Sequence, residues 1–185
     1  MKKKSIRFNS CLFPQIYDFG NLPHLTILEL VNCNINEIMG LDELNNLKFL
    51  DLSSNQIANI KGLNSLKELK KLKLDSNLIK KIEGLEYLTN LVELDLASNN
   101  IAKIENLDKL RKLEILYLSF NKISVIENIE SLKSLKKIDL IYNQIKDIES
   151  LRNMKFLRSI NLDGSPLPND KYHKQIIKTG KIPKI

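Results

Sequence analysis

From Leu25 the chain repeats itself every 22 residues, six times over, without an insertion. The units start at Leu25, Leu47, Leu69, Leu91, Leu113 and Leu135, and the one at Leu91 reads LVELDLASNNIAKIENLDKLRK. Positions 1, 4, 6, 11, 14, 17 and 20 of these units are Leu, Ile or Met at all 42 places. In a chain that is 43% hydrophobic, random placement would fill roughly 18 of them. Neither a helical period of 3.6 nor a strand period of 2 generates this spacing. A unit so short cannot bury its apolar positions alone, so it must stack on its own copies.

The phase extends in both directions. Counting back places a unit at Lys3, with Ile6, Phe8, Phe13, Ile16, Phe19 and Leu22 in the apolar slots. Counting forward, Leu157, Ile160, Leu162 and Leu167 fit before Asp170 breaks the rule. The chain therefore reads as one domain, 1–185, with units starting near 3, 25, 47, 69, 91, 113, 135 and 157 and a C-terminal cap over 166–185. In the cap, Asp170 reads as a helix N-cap, Tyr172, Ile176 and Ile177 as its inward face and Gly180 as its end.

Within a unit, positions 3 to 7 alternate, as in ELDLA at 93–97, which reads as a half-buried strand. Stacked units would pair these strands in parallel, about 4.8 Å apart. Position 16 is Asp18, Gly40, Gly62, Gly84, Asn106, Asn128 or Ser150, residues favoured as N-caps. One short helical or 3₁₀ turn per unit is expected to start there, on the side opposite the strands. Position 9 is Cys11, Cys33, then Asn55, Asn77, Asn99, Asn121 and Asn143.

The form LxxLxLxxNxIxxIxxLxxLxx resembles the leucine-rich repeat in its 22-residue class, over Lys3 to Leu167. The resemblance implies an α/β solenoid, a right-handed superhelix with a parallel concave sheet and short 3₁₀ or helical turns on its convex side. It also implies that the position-9 column is a structural ladder, Cys11, Cys33, Asn55, Asn77, Asn99, Asn121 and Asn143, whose amides pair buried turn groups. The IEG and IEN steps at 82–84, 104–106 and 126–128 are similar to those of the leucine-rich-repeat regulators of protein phosphatase 1. By that resemblance Glu29, Asp51, Asp95, Tyr117 and Asp139 would hold a phosphatase catalytic subunit.

Outward strand positions are where such a solenoid meets a partner. Two apolar groups stand there: Ile27, Val31 and Phe49 near one end, and Ile115, Tyr117, Phe120, Ile141 and Tyr142 near the other. Glu29, Asp51, Lys73, Asp95 and Asp139 lie between them. Exposed aromatics ringed by charge are the anatomy of an interaction hot spot. The expected function is a monomeric, non-catalytic scaffold that binds a protein on this face. A domain of a cytoskeletal or axonemal protein and a basic RNA-associated protein of spliceosomal type are the alternatives.

The rest of the sequence narrows the function class. Histidines are only His24 and His173, and no HExxH, CxxC, GxSxG or phosphate-loop pattern occurs, so no catalytic residue, metal or cofactor is expected. Lys and Arg exceed Asp and Glu by 7, with clusters at 2–4, 70–73, 80–81, 133–137 and in the tail. These read as spread over edges and both faces without aromatic interleaving, which argues against a nucleic-acid partner. No apolar run spans a membrane, and MKKKSIRFNSCLF lacks the apolar core of a secretion signal. An intracellular location is expected. Cys11 and Cys33 should stack about 5 Å apart at Cα, a distance that permits a bridge. A reducing compartment and the family's tolerance of Cys in the ladder favour buried, unbridged thiols instead.

Overall fold

The computed structural model describes residues 4–11, 22–154 and 156–168. Phe13, Ile16, Phe19 and the cap segment from Asp170 fall outside the described residues. Each unit contributes one strand, because positions 4 and 6 are Leu, Ile or Phe and flank one outward residue; all of these are buried except Phe8 of the first unit, which is 42% exposed. The strands are β1 (Ser5–Asn9), β2 (Ile27–Val31), β3 (Phe49–Asp51), β4 (Lys71–Lys73), β5 (Glu93–Asp95), β6 (Ile115–Tyr117), β7 (Lys137–Asp139) and β8 (Ser159–Asn161). They form one eight-stranded parallel sheet in chain order. Register is strict: Leu28, Leu50, Leu72, Leu94, Leu116, Ile138 and Ile160 lie side by side, one per strand. An identical repeat length with no insertion leaves no other register that keeps Leu opposite Leu.

The return path holds turns rather than helices. In the third unit the Leu66 N–H donates to the Leu63 carbonyl at 3.0 Å and the Leu69 N–H to the Leu66 carbonyl at 3.0 Å. The same two bonds recur at Leu88 and Leu91, at Leu110 and Leu113, and at Leu132 and Leu135. Bonds of this i→i+3 type wind three residues per turn, so side chains three apart eclipse. That is why positions 17, 20 and the next position 1 are apolar and, from Leu41 to Leu151, all buried.

The expected N-caps at position 16 are not caps. Gly40, Gly62, Gly84, Asn106 and Asn128 have φ of 72°, 74°, 66°, 57° and 58°. The slot demands a left-handed backbone, which Gly and Asn tolerate and most residues avoid. It also demands closeness. A side chain on Gly62 would press on the Ile38 carbonyl oxygen, and one on Gly84 on the Ile60 carbonyl oxygen. Where Asn fills the slot, the amide uses that approach: Asn106 Nδ2 donates to the Ile82 carbonyl at 2.7 Å and Asn128 Nδ2 to the Ile104 carbonyl at 2.8 Å. Asp18 lies outside the described residues; among these, only Ser150 departs, and there the turn closes into a regular 3₁₀ helix, Glu149–Asn153, that contains Ser150.

The ladder is as expected for its asparagines. Asn99 Oδ1 accepts the Ile79 N–H of the preceding unit at 2.9 Å. Its Nδ2 donates to the carbonyls of Leu74, Leu96 and Ala97 at 2.9, 3.1 and 3.1 Å. Asn77, Asn121 and Asn143 repeat that arrangement one unit apart. The cysteines depart from expectation. Cys11 and Cys33 are joined in a disulfide, with Cα atoms 4.4 Å apart and 22 residues between them. Stacking at strand spacing brings two position-9 side chains into bridging range wherever neither is an amide. Cys33 cannot do an asparagine's work, and Asn55 Oδ1 compensates by accepting both the Cys33 and the Ile35 N–H groups, at 2.9 and 3.0 Å.

The bridge ties the first unit to the second across a 22-residue loop, which in the chain-entropy account is worth roughly 3 kcal/mol. Protein denatured in alkylating agent without reductant should therefore show no alkylated cysteine. Cys11→Ser with Cys33→Ser should lower stability by about that amount; two alkylated cysteines, or an unchanged Tm, would count against the bridge.

Candidate functional site

Strand register places the outward residues in rows. Position 3 aligns Ile27, Phe49, Lys71, Glu93, Ile115 and Lys137, and position 5 aligns Glu29, Asp51, Lys73, Asp95, Tyr117 and Asp139. Nine of the eleven expected partner-facing residues thus share one sheet face: Ile27, Glu29, Phe49, Asp51, Lys73, Asp95, Ile115, Tyr117 and Asp139. Phe120 and Tyr142 stand at position 8, on the bend just beyond the strands.

The acids of position 5 carry a structural duty that the sequence reading did not foresee. Asp51, Asp95 and Asp139 each accept, through Oδ1, the N–H two residues on, from Ser53, Ala97 and Ile141 at 3.0, 3.0 and 3.1 Å. This is the Asx turn that ends a strand, and Asn161 makes it in β8 with the Asp163 N–H. Asp51 is spent on it: the residue is only 8% exposed and also accepts the Ser53 hydroxyl. Asp95 and Asp139 remain half-buried, each with one oxygen committed.

Charge on this face concentrates around Lys73. Its Nζ lies 3.9 Å from Asp51 Oδ2, and in the register it sits between Asp51 and Asp95. Asp75, a position-7 acid absent from the expected set, joins them. Outward alternation of position 7 was the signal that could have found it. Burial and, after it, the Asp51 charge raise the Asp75 carboxyl above its ordinary range, against Lys73. Asp95 is pushed up to about 6, first by burial and further by Asp75 and Glu93, against the Ala97 N–H and Lys73. Lys71 pairs with Glu93 at 2.8 Å, and Arg7 with Glu29 at 2.9 Å.

The aromatic end is built differently. Lys137 Nζ lies 4.7 Å over the Tyr117 ring. Phe120 and Tyr142 stack with ring centroids 4.8 Å apart, yet are 52% and 58% exposed. Position 8 is left-handed in every unit, and elsewhere it holds Ser10, Asn32, Ser54, Ser76, Ser98 or Gly164. Phe120 and Tyr142 adopt it at φ of 55° and 50°. A bulky residue is an outlier in that region, and such strain costs on the order of 1 to 3 kcal/mol. Gly164 makes the arrangement possible, because any side chain there would strike the Tyr142 ring.

The cations are spread over edges and both faces, as their sequence clusters suggested, but not evenly. On the two faces many are paired: Lys61 with Glu37, Lys81 with Glu83, Lys103 with Glu127 and Lys109 with Asp108, besides the concave pairs above, while Lys80, Lys122 and Lys146 meet no carboxylate among the described residues. The surplus lies on the edge where chains enter the strands. Position 2 carries Lys4, Lys48, Lys70, Lys136 and Arg158 there, and positions 21 and 22 add Lys67, Arg111, Lys112 and Lys133. Glu68 and Glu114 are the acids on that edge among the described residues. No group of three or more His, Cys, Asp or Glu side chains suited to a metal ion occurs among the described residues. No helix among them is long and apolar enough to cross a membrane.

The family model for leucine-rich repeats (2 copies) matches residues 45–87, 89–134 and 111–153. Among solved structures, an internalin (inlF) from Listeria monocytogenes is 28% identical with a TM-score of 0.79, over 90% of this chain and 50% of that one. Internalin C2 from the same organism is 36% identical with a TM-score of 0.74, over 80% of this chain and 67% of that one. The functional domain of InlJ from Listeria monocytogenes, which includes a cysteine ladder, is 25% identical with a TM-score of 0.69, over 81% of this chain and 32% of that one. The chain thus spans about half the length of the first of these. Comparison with curated proteins finds no match. Repeat period, ladder, sheet register and family match agree: the chain belongs to the leucine-rich repeat family.

Proposed function

We propose that the protein is a non-catalytic interaction scaffold whose concave face binds a protein bearing basic and apolar side chains. The observation that carries this is the Phe120–Tyr142 pair, two exposed rings held in a strained backbone where other units place Ser, Asn or Gly. Strain kept at an exposed position points to use by a partner. In the register Asp95 and Asp139 flank Tyr117, the Tyr142 N–H donates to the Asp163 carbonyl, and Lys137 is turned over Tyr117. A cationic side chain from a partner could stack on an open ring and meet a carboxylate, as interface anchors do.

A phosphatase catalytic subunit is the specific partner that the sequence resemblance suggests. The Cys11–Cys33 bridge supports a different setting, since disulfides persist in oxidising compartments. We therefore favour a partner outside the reducing cytosol over the phosphatase and over cytoskeletal or spliceosomal ones. Thiol counting on protein taken from its native source decides between the settings.

Phe120→Asn with Tyr142→Asn relieves the left-handed strain and removes the rings, so Tm should hold while binding falls. Immobilised wild type and this variant, compared by quantitative mass spectrometry of captured proteins, should differ in a specific set lost by the variant. Identical capture would refute the concave reading, and a phosphatase catalytic subunit in the lost set would restore that candidate.

Asp95 adds a pH dependence. Its folded carboxyl binds a proton more tightly than the unfolded one, so this group's stabilisation is complete below about pH 4 and is lost as pH rises through about 6. Asp95→Asn keeps the Asx acceptor, as Asn161 does, and should raise stability at pH 7 by about 1 kcal/mol after allowance for solvent screening. Binding of a cationic partner should weaken from pH 7 to pH 5 in the wild type as the carboxylate is protonated. That slope should flatten in Asp95→Asn, and an unaltered slope would exclude Asp95 from the interface.

A further inference from the structure

We propose that the strand-entry edge binds a linear sulfated polysaccharide, a second surface separate from the concave face. Lys48, Lys70, Lys136 and Arg158 occupy the same position of the third, fourth, seventh and eighth units. Adjacent strands are about 4.8 Å apart, so the side chains stand in single file along the solenoid axis. Where position 2 is Val92 or Glu114, Arg111, Lys112 and Lys133 of the adjoining turns continue the file. Toward each end of the file a shallow pocket joins position-2 residues to those of the adjoining turns. Lys4, His24, Thr26, Asn46 and Lys48 line one, and Glu114, Lys133, Ser134, Lys136, Phe156 and Arg158 line the other.

The cations of this edge are mostly unneutralised and stand together. Lys48, Lys70, Lys133 and Arg158 pair with no carboxylate among the described residues, whereas the unpaired Lys80, Lys122 and Lys146 elsewhere lie apart from this file. On the edge, Lys136 alone is paired, with Glu114 at 2.7 Å. Unpaired like charges at strand spacing raise the local potential and repel one another, and a polyanion relieves both. The chemistry selects the kind of polyanion. Single-stranded nucleic acid is held by aromatic platforms on which bases stack, and the file offers only Phe156 at one end. A bilayer presents a plane of charge rather than a line. Thr26, Asn46 and Ser134, set between the cations, supply hydroxyl and amide groups suited to sugar hydroxyls.

Heparin is the probe, titrated from 50 to 300 mM NaCl against wild type and two variants of equal charge. The edge variant is K48Q/K70Q/K136Q/R158Q, and the control is K61Q/K81Q/K103Q/K146Q on the faces. At fixed salt the edge variant should bind at least about tenfold more weakly, with a shallower salt dependence, and the control within about twofold of wild type. A charge-keeping variant, K48R/K70R/K136R, should retain affinity. Equal weakening in edge and control variants would overturn the proposal. So would poly(dT), or vesicles containing phosphatidylserine, binding as tightly as heparin.

Discussion

The carboxamide at position 9 is the interaction on which this fold depends. A 22-residue unit turns sharply after its strand, and that turn must be buried if units are to stack. Burial strands the turn's own N–H and C=O groups, each costing about 1 to 3 kcal/mol if left unpaired. One Asn side chain resolves this by bonding forward within its turn and back into the preceding unit, as Asn99 does with Ala97 and Leu74. Every Asn therefore couples two units, and the array is held by nearest-neighbour terms rather than by one central core. The ends show what happens when the amide is missing. At one, Cys11 and Cys33 form a covalent link; at the other, position 9 of the unit starting at Leu157 is Ser165, whose hydroxyl is buried without a partner among the described residues.

Much of this was legible in the sequence, because repetition converts a three-dimensional problem into a one-dimensional one. Period 22 established strand number, parallel order and register together, and the structure matches each. What stayed hidden was backbone conformation. Gly and Asn at position 16 suit an N-cap and a left-handed residue equally well, and only φ near 70° tells them apart. The cysteine pair was illegible for another reason: compartment was inferred from an apparent lack of a signal, whereas geometry alone decided whether two stacked thiols would meet.

The candidate surfaces divided along the same line. Alternation gathered nine of the candidate residues on one sheet face, as the register shows, but it could not show that Asp51 is buried in its own turn. Nor did linear clusters reveal the charged edge, because Lys48, Lys70, Lys136 and Arg158 are scattered along the chain and meet only through the repeat. Lys70 to Lys73 illustrates the confusion. Three consecutive side chains of that run go to different places: Lys70 to the edge, Lys71 to Glu93, and Leu72 to the core. A solenoid distributes neighbours in sequence among separate surfaces and gathers residues 22 apart, so it can present an acidic, aromatic concavity beside a basic edge.

The unfolding free energy of Asn99→Ala, measured by denaturant titration beside Lys103→Ala as a surface control, tests the role of the ladder most directly. Asn99→Ala leaves the Ile79 N–H without its partner and removes one of the two amide donors from each of the Leu74 and Leu96 carbonyls, which keep Asn77 and Asn121, so a loss of roughly 2 kcal/mol is expected, against a few tenths for the control. A loss for Asn99→Ala no larger than the control's would contradict the view that position-9 amides hold the repeats together.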